Sequence, residues 1–192
     1  NGAGKTTMFN LITNMFPPTT GEIIFSNETI TGIKPHKITD KGICRTFQNI
    51  RLFSQMTTLE NVMVGAHSRS KAGVFSGVFR PKSQRTEERK IREKAIELLD
   101  LVGLSEFHDV VSENLSYGQQ RRLEIARALA SDPKLLLLDE PAAGMNETET
   151  ASLFDLIKQV QVRGISVLII EHDMPLVMKL CDHITVLNFG KK

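Results

Sequence analysis

Residues 135–140 read LLLLDE, four leucines that lead directly into an aspartate and a glutamate. A continuous apolar run is expected of a strand that is covered on both faces, as the strands of a parallel sheet are. Asp139 then ends a buried strand, where a carboxylate is costly unless a cation or hydrogen bonds satisfy it. The carboxyl ends of parallel strands are also where such sheets bind their ligands. The stretch therefore predicts an α/β fold with an acidic site at the end of a central strand.

Further strand and helix patterns alternate on both sides of this run. Asn146 with Glu149 predicts a capped helix that Gly164 ends. Strands that alternate with helices indicate a parallel sheet. Besides the leucine run we predict four strands, at Gly21–Phe25, Gly42–Phe47, Ile165–Ile170 and His183–Leu187.

The middle of the chain, from about Arg51 to Ala130, has a helical pattern. Between Glu87 and Val102 apolar residues recur on one helical face and charged residues cover the other. The stretch from Ser68 to Arg85 is rich in Ser, Gly, Lys and Arg, and we predict a mobile, solvated loop there. Contact of its basic residues with lipid headgroups or an acidic partner is the alternative.

Composition excludes several classes of protein. The 192 residues are 41% hydrophobic and 24% charged, as in an ordinary globular domain. A net charge of +2 gives no reason to expect a nucleic-acid partner. The two cysteines, Cys44 and Cys181, show no metal-binding spacing, which suits a reducing compartment. No apolar stretch approaches the ~20 residues that a transmembrane helix needs.

The sequence begins inside a pattern that is typical of a phosphate-binding loop. Such loops read GxxxxGK[ST], and residues 4–6 supply the last three positions. Lys5 can place its charge on the β- and γ-phosphates, and the Thr6 hydroxyl can bind Mg²⁺. A helix predicted over residues 5–15 directs its positive end at the same anion. The first glycine of the pattern would precede Asn1, so we expect an internal piece of a longer protein. The nucleotide-binding residues predicted here are Asn1, Gly2, Ala3, Gly4, Lys5, Thr6 and Thr7.

With a nucleotide bound, polar residues at three strand ends gain possible roles. Mg²⁺ bound to ATP would satisfy Asp139, and Glu140 could orient or deprotonate the water that attacks the γ-phosphate. His172 follows the next strand and could hold that water, while Gln48 could complete the Mg²⁺ shell or position water. The ordinary alternatives are a helix cap with a surface charge for the two acids and structural roles for His172 and Gln48.

A second helix start stands at residues 115–119, which read LSYGQ. Ser116 and Gln119 form a capping box for the helix that follows. Capping alone requires neither Gly118 nor an exposed Tyr117, and a helix start with a serine and a glycine is also a good phosphate site. One chain does not easily bring this site and the phosphate loop onto one γ-phosphate. We hypothesise that two chains, arranged head to tail, enclose ATP between the phosphate loop of one and Ser116 of the other.

Together these motifs resemble the nucleotide-binding domain of ABC transporters over essentially the whole chain. The resemblance implies an α/β P-loop NTPase with a RecA-like parallel sheet core at 1–50 and 131–192. It implies an inserted α-helical subdomain at 51–130, with the N-terminal strands missing from the sequence. It also implies an ATPase that uses ATP and Mg²⁺, with catalysis by Glu140 and His172, metal binding by Thr6, Gln48 and Asp139, and further nucleotide contacts from Gln48. The family's signature, which binds the ATP of the partner subunit, corresponds to Ser116, Tyr117, Gly118 and Gln119.

Within the family, RTFQNIRLF at 45–53 and PAAGMN at 141–146 are similar to the ATP-binding subunits of bacterial branched-chain amino acid importers. This resemblance implies a second nucleotide-binding subunit, identical or not, and a transmembrane permease docked near residues 51–63. It implies an indirect link to a periplasmic or extracellular solute-binding protein, and a peripheral place on the cytoplasmic face of the bacterial plasma membrane. The alternatives are the ATPase of a related exporter or urea importer, or a non-transport ABC ATPase.

Overall fold

The computed structural model describes residues 2–67 and 82–192. Helices and strands alternate at both ends of the chain, and helices fill the described part of its middle. In chain order the elements are α1 (Lys5–Ile12), β1 (Ile24–Phe25), β2 (Glu28–Thr29), α2 (Pro35–Asp40), β3 (Ile43–Arg45), α3 (Thr58–His67), α4 (Lys82–Leu101), α5 (Tyr117–Leu129), β4 (Leu135–Asp139), α6 (Glu147–Val162), β5 (Ser166–Ile170) and α7 (Met174–Leu180).

Three parallel strands form the central sheet, in the order β3-β4-β5. Leu136 and Leu138 of β4 face one hydrophobic cluster and Leu137 faces another, so the middle strand is covered on both sides. This confirms the prediction from the leucine run. Asp139 pairs with Ile170 at the carboxyl ends of β4 and β5, which brings the residues after these two strands together.

A short hairpin, made of two strands of two residues each, lies outside the central sheet. β1 and β2 pair antiparallel around Ser26 and Asn27, whose φ angles are 51° and 65°. Positive φ at both positions matches the turn that a tight hairpin prefers. The strand predicted over Gly21–Phe25 is therefore only two residues long.

The strand predicted at His183–Leu187 is wrong. The structure has irregular backbone there, and Ile184 and Val186 are 43% and 73% exposed. A strand needs a hydrogen-bonding neighbour. In the described part of the chain no strand pairs with this stretch, and the bridge beyond it joins Asn188 to Lys191.

Helices α3, α4 and α5 pack together in the middle of the chain. They share a core that includes Leu59, Leu98 and Leu123. The predicted helix at residues 87–102 is confirmed as part of α4 up to Leu101, where that helix ends. The predicted loop is wrong at residues 82–85, which begin that helix, and its other residues, 68–81, lie outside the described ranges.

Local signals fix the ends of α6, as predicted. Asn146 accepts a hydrogen bond from the backbone of Glu149, and the Glu149 side chain accepts one in return from the backbone of Asn146. Gly164 follows the helix with φ 82°. Within residues 2–67 and 82–192, no helix combines the length and the apolar character needed to span a bilayer.

Candidate nucleotide site

The phosphate-loop residues lead into the start of α1. Gly4 caps the helix in the left-handed region, with φ 93°, and Gly2 has φ 89°. A Cβ at Gly2 would meet no atom within 4 Å, so this side of the loop is open. The first turn of α1 has no acidic residue, and its backbone N–H groups lack partners within the helix. An anion can therefore bind at this helix start without repulsion from an acidic residue of the same turn.

The other predicted loop residues either precede α1 or form its first turn. Lys5 is half-buried, whereas the side chains of Thr6 and Thr7 are exposed. The carbonyl oxygen of Ala3 accepts a hydrogen bond of 2.9 Å from the backbone N–H of Gly190. Asn1 lies outside the described residues.

Asp139 is buried at the end of β4 and is paired with an arginine. Nη2 of Arg45 lies 2.9 Å from Oδ2 of Asp139, and the two side chains are 6% and 3% exposed. The other end of the guanidinium donates a hydrogen bond of 2.6 Å to Oδ1 of Asn10 on α1. The carboxylate thus has its cation from the protein itself, a partner that the sequence interpretation missed.

Glu140 and Gln48 meet in the structure. Nε2 of Gln48 donates a hydrogen bond of 3.1 Å to Oε2 of Glu140. Glu140 has φ 47°, a left-handed conformation that non-glycine residues rarely adopt. Its backbone N–H donates to the carbonyl of Ile170, which ties this bend to the end of β5. The loop after β3 and the turn after β4 therefore bring the amide of Gln48 and the carboxylate of Glu140 into contact.

His172 follows β5 with its side chain 70% exposed. The preceding Glu171 is buried, and its carboxylate accepts hydrogen bonds from the backbone of Ala142 and of His172. Nδ1 of His172 lies 3.9 Å from Glu171. Glu171 thus joins the turn after β4 to the turn after β5 and leaves the imidazole open to solvent. Sequence reasoning missed this role.

The LSYGQ segment begins α5 with the predicted capping box. Ser116 accepts a hydrogen bond of 3.4 Å from the backbone of Gln119, and the Gln119 side chain accepts one of 2.9 Å from the backbone of Ser116. Tyr117 is 44% exposed, as expected. Gly118 is buried, and a Cβ there would lie 2.9 Å from the Glu149 carboxylate, which would have to shift.

A buried ion pair connects α5 to the loop that follows β3. Arg121 is fully buried and bonds Glu124 at 2.9 Å. Its guanidinium also donates to the carbonyls of Phe47 and Gln48, at 2.7 and 2.8 Å, and to the hydroxyl of Tyr117. Burial raises the pKa of Glu124 above its usual value, although Arg121 opposes the change. An arginine and a glutamate three residues apart on a helix were the available signal, but their buried setting was not predicted.

The residues expected to bind Mg²⁺ have suitable chemistry. The Thr6 hydroxyl, the Gln48 amide and the Asp139 carboxylate all offer oxygen, which Mg²⁺ prefers. No cluster of three His, Cys, Asp or Glu side chains occurs in the described residues. Mg²⁺ is commonly bound through one or two carboxylates together with the phosphates of a substrate, which this donor set allows.

The structure does not join Ser116 to the phosphate loop of its own chain. In the described part of the chain no hydrogen bond or ion pair joins it to Lys5 or to Glu140.

A phosphate-loop helix beside a parallel sheet, with paired acids at the end of its middle strand, defines an α/β ATPase of the P-loop class.

Comparison with known proteins gives the family. The profile described as ABC transporter matches residues 1–143, and the chain belongs to this family of ATPases. It is 48% identical to the high-affinity branched-chain amino acid transport ATP-binding protein BraF of Pseudomonas aeruginosa, across 99% of this chain and 75% of BraF. It is 44% identical to LivG of Escherichia coli K12, a protein of the same description, with the same coverage.

Solved structures of ATP-binding cassettes share the fold. The ADP conformation of MJ1267, an ATP-binding cassette of an ABC transporter, superimposes with a TM-score of 0.83 at 34% identity, over 100% of this chain and 74% of that one. The dimeric structure of MJ0796, a bacterial ABC transporter cassette, gives 0.81 at 27% identity, over 100% and 79%. The predicted fold class is confirmed.

Proposed function

We propose that this chain binds and hydrolyses ATP to power the import of branched-chain amino acids through a membrane permease. The observation that carries the proposal is the match of almost the whole chain to ATP-binding proteins named for that transport. The permease would hold the chain at the cytoplasmic face of the bacterial plasma membrane. A periplasmic or extracellular solute-binding protein would take part indirectly, through the permease.

The phosphate loop would hold the nucleotide. Residues 1–7 would wrap the phosphates with backbone N–H groups, and Lys5 would neutralise the β- and γ-phosphates. Mg²⁺ would supply charge stabilisation to the transferred phosphoryl group. Thr6, Gln48 and Asp139 would hold the metal ion.

Glu140 would act as the general base. Its hydrogen bond to Gln48 places the carboxylate beside an amide that can share a water molecule with it. His172, exposed at the end of the neighbouring strand, would hydrogen-bond the γ-phosphate and hold that water. Phosphoryl transfer needs mainly such positioning and charge stabilisation.

The signature residues 116–119 would complete the site of a second subunit. Ser116 is exposed at a helix start and has no described contact with the phosphate loop of its own chain. The solved dimer of a related cassette supports a two-subunit arrangement. ATP would close the two subunits, and hydrolysis with product release would reopen them. Each subunit would consist of a core at residues 1–50 and 131–192 and a helical subdomain at 51–130.

A groove beside the Gln48 loop is where we place the permease. Its volume is about 490 Å³, and it lies between that loop and helices α3 and α5. Arg51 stacks on Phe47 at 4.4 Å, and Arg127 stacks on Phe53 at 5.5 Å. Glu124, the acidic side chain in the lining, is buried against Arg121. The groove therefore suits a permease loop with acidic and apolar side chains.

Transport in a reconstituted system tests the function. The full-length protein would be purified with its permease, placed in proteoliposomes with the solute-binding protein, and given radiolabelled leucine. We expect ATP-dependent uptake of leucine and none with the Glu140→Gln variant. ATP-dependent uptake of urea without uptake of leucine would instead support the related importer.

The docking surface has its own test. Arg51→Glu reverses the charge in the groove and should greatly reduce the amount of permease that co-purifies. Arg89→Glu makes the same change on exposed α4, where Arg89 pairs with Glu93, and is the matched control. Equal recovery of permease with both variants would place the docking surface elsewhere.

A further inference from the structure

We propose that Arg45 is a positioning residue that holds the phosphate-loop helix and Asp139 in register, and thereby sets the affinity of the site for Mg²⁺. The inference rests on the proposed function in one respect, because it takes Thr6 and Asp139 as ligands of the metal ion.

Both ends of the Arg45 guanidinium are engaged. Nη2 lies 2.9 Å from Oδ2 of Asp139, and Nη1 lies 2.6 Å from Oδ1 of Asn10. Rings of Phe9 and Phe47 also contact it, with centroids 5.3 and 5.1 Å from Cζ. Because the side chain is only 6% exposed, it has little freedom to move.

Asn10 makes this arrangement a bridge to the metal-binding helix. Thr6 and Asn10 are four residues apart on α1 and therefore lie on the same face of that helix. Arg45 joins this face to the end of β4 through two hydrogen bonds. The position of the Thr6 hydroxyl relative to the Asp139 carboxylate thus depends on the guanidinium.

Arginine suits such a bridge better than lysine does. Its planar fork presents separate nitrogens to two acceptors, whereas a lysine presents a single point charge. The hydrogen bond described for Asp139 uses Oδ2, and in the described part of the chain no other side chain bonds this carboxylate. Arg45 can therefore fix the orientation of the carboxylate and leave Oδ1 for the metal ion or its water. Groups that orient metal ligands in this way usually change metal affinity when they are removed.

A purely structural ion pair would predict a different result. In that case loss of Arg45 would lower stability and leave the metal dependence of nucleotide binding intact. Arg122 provides the matched control, because it is a half-buried arginine that donates a hydrogen bond of 2.6 Å to Ser152, away from the site.

The test measures nucleotide binding without hydrolysis. In the full-length protein carrying Glu140→Gln, the Kd of a fluorescent ATP analogue is measured in Mg²⁺ and in EDTA. The Kd in EDTA divided by the Kd in Mg²⁺ reports how strongly the metal ion supports binding. We expect Arg45→Gln to lower this ratio by about tenfold, the usual scale for groups that orient metal ligands. The Kd in EDTA should not change.

Further variants separate the bridge from charge and from folding. Arg45→Lys keeps the charge without the fork and should also lower the ratio. Asn10→Ala keeps the Arg45–Asp139 pair and should lower it less. Arg122→Gln should leave the ratio unchanged. If neither Arg45 variant folds, Asn10→Ala decides, because an unchanged ratio there overturns the bridge.

Asp139→Asn distinguishes this inference from the proposed function. If Asp139→Asn lowers the ratio and the Arg45 variants do not, the role of Arg45 is overturned and the metal assignment stands. If Asp139→Asn also leaves the ratio unchanged, the metal assignment in the proposed function is itself overturned.

Discussion

Glu140 combines an uncommon backbone conformation with a hydrogen bond to Gln48. Its φ of 47° turns the chain directly after β4, and its side chain meets Gln48. Left-handed backbone at a non-glycine residue costs roughly 1–3 kcal/mol and persists where the surroundings enforce it. The hydrogen bond from its N–H to Ile170 supplies part of that enforcement. The conformation supports the proposed role of Glu140 in hydrolysis.

Replacement of Glu140 by glutamine should stop turnover and leave nucleotide binding intact. The amide keeps the size and the hydrogen-bonding ability of the side chain but does not accept a proton. We expect kcat to fall by about 10²–10⁴-fold, the usual contribution of a general base. The measurement is steady-state ATPase activity of the full-length protein, with the Kd for ATP as control. An undiminished rate would assign the base elsewhere.

Glu124 should make stability depend on pH. Burial raises its pKa, so the folded protein binds this proton more tightly than the unfolded chain does. Its contribution is fully present below the unfolded pKa of about 4.5 and is lost as pH rises through the higher folded pKa. We therefore expect the free energy of unfolding of the wild type, relative to Glu124→Gln, to fall with rising pH. Urea unfolding from about pH 4.5 upward measures the difference. A difference that grew with pH would mean that Arg121 outweighs burial.

Two helices begin with the same capping arrangement, and only one of the two caps belongs to the predicted signature. Ser116 caps α5 inside the LSYGQ segment, and Asn146 caps α6 outside it. Each cap satisfies backbone N–H groups that the first helical turn leaves without partners. A comparison of the two caps can therefore separate the structural role of Ser116 from its proposed role in nucleotide binding.

Ser116→Ala and Asn146→Ala should cost similar stability, about 1 kcal/mol each. Only Ser116→Ala should also impair ATP-dependent dimerisation, because only that hydroxyl would contact the partner's nucleotide. Thermal unfolding measures the first effect, and light scattering with ATP in a Glu140→Gln background measures the second. If the two variants dimerise equally with ATP, Ser116 acts only as a helix cap and not as a contact to the partner's nucleotide.

Across the molecule, the two predicted phosphate sites belong to different parts of the chain. The phosphate loop lies at the start of α1 beside the sheet, whereas Ser116 starts α5 in the helical part. Arg121 fixes α5 to the loop after β3 through the carbonyls of Phe47 and Gln48. A shift of the signature helix would therefore be transmitted to the Gln48 loop and to the groove beside it.

A mixing experiment tests whether the active site is shared between subunits. Lys5→Ala and Ser116→Ala should each inactivate the full-length protein. A mixed dimer of the two variants contains one site with an intact Lys5 and an intact Ser116 from opposite subunits. We expect ATPase activity to return on mixing. If the mixture stays as inactive as its components, the site does not combine residues of two chains.

Local patterns were sufficient for much of the fold. The leucine run predicted the doubly covered strand β4, and two capping boxes predicted the starts of α5 and α6. These signals act within a few residues. A cap satisfies N–H groups of its own first helical turn, and a continuous apolar run indicates that the same strand is buried on both faces. The phosphate-loop pattern has the same local character. The strand expected at 183–187 failed because strand formation depends on a neighbour that sequence pattern does not supply.

The specific hydrogen bonds between distant residues were visible only in the tertiary structure. Gln48 meets Glu140 across 92 positions, and Arg45 meets Asp139 across 94. Arg121 reaches the carbonyl of Phe47 across 74 positions. A charged residue in a strand or helix gives no local sign of its partner, because burial and chain topology bring the two together. The sequence thus indicated which residues could carry the chemistry, and packing determined which of them meet.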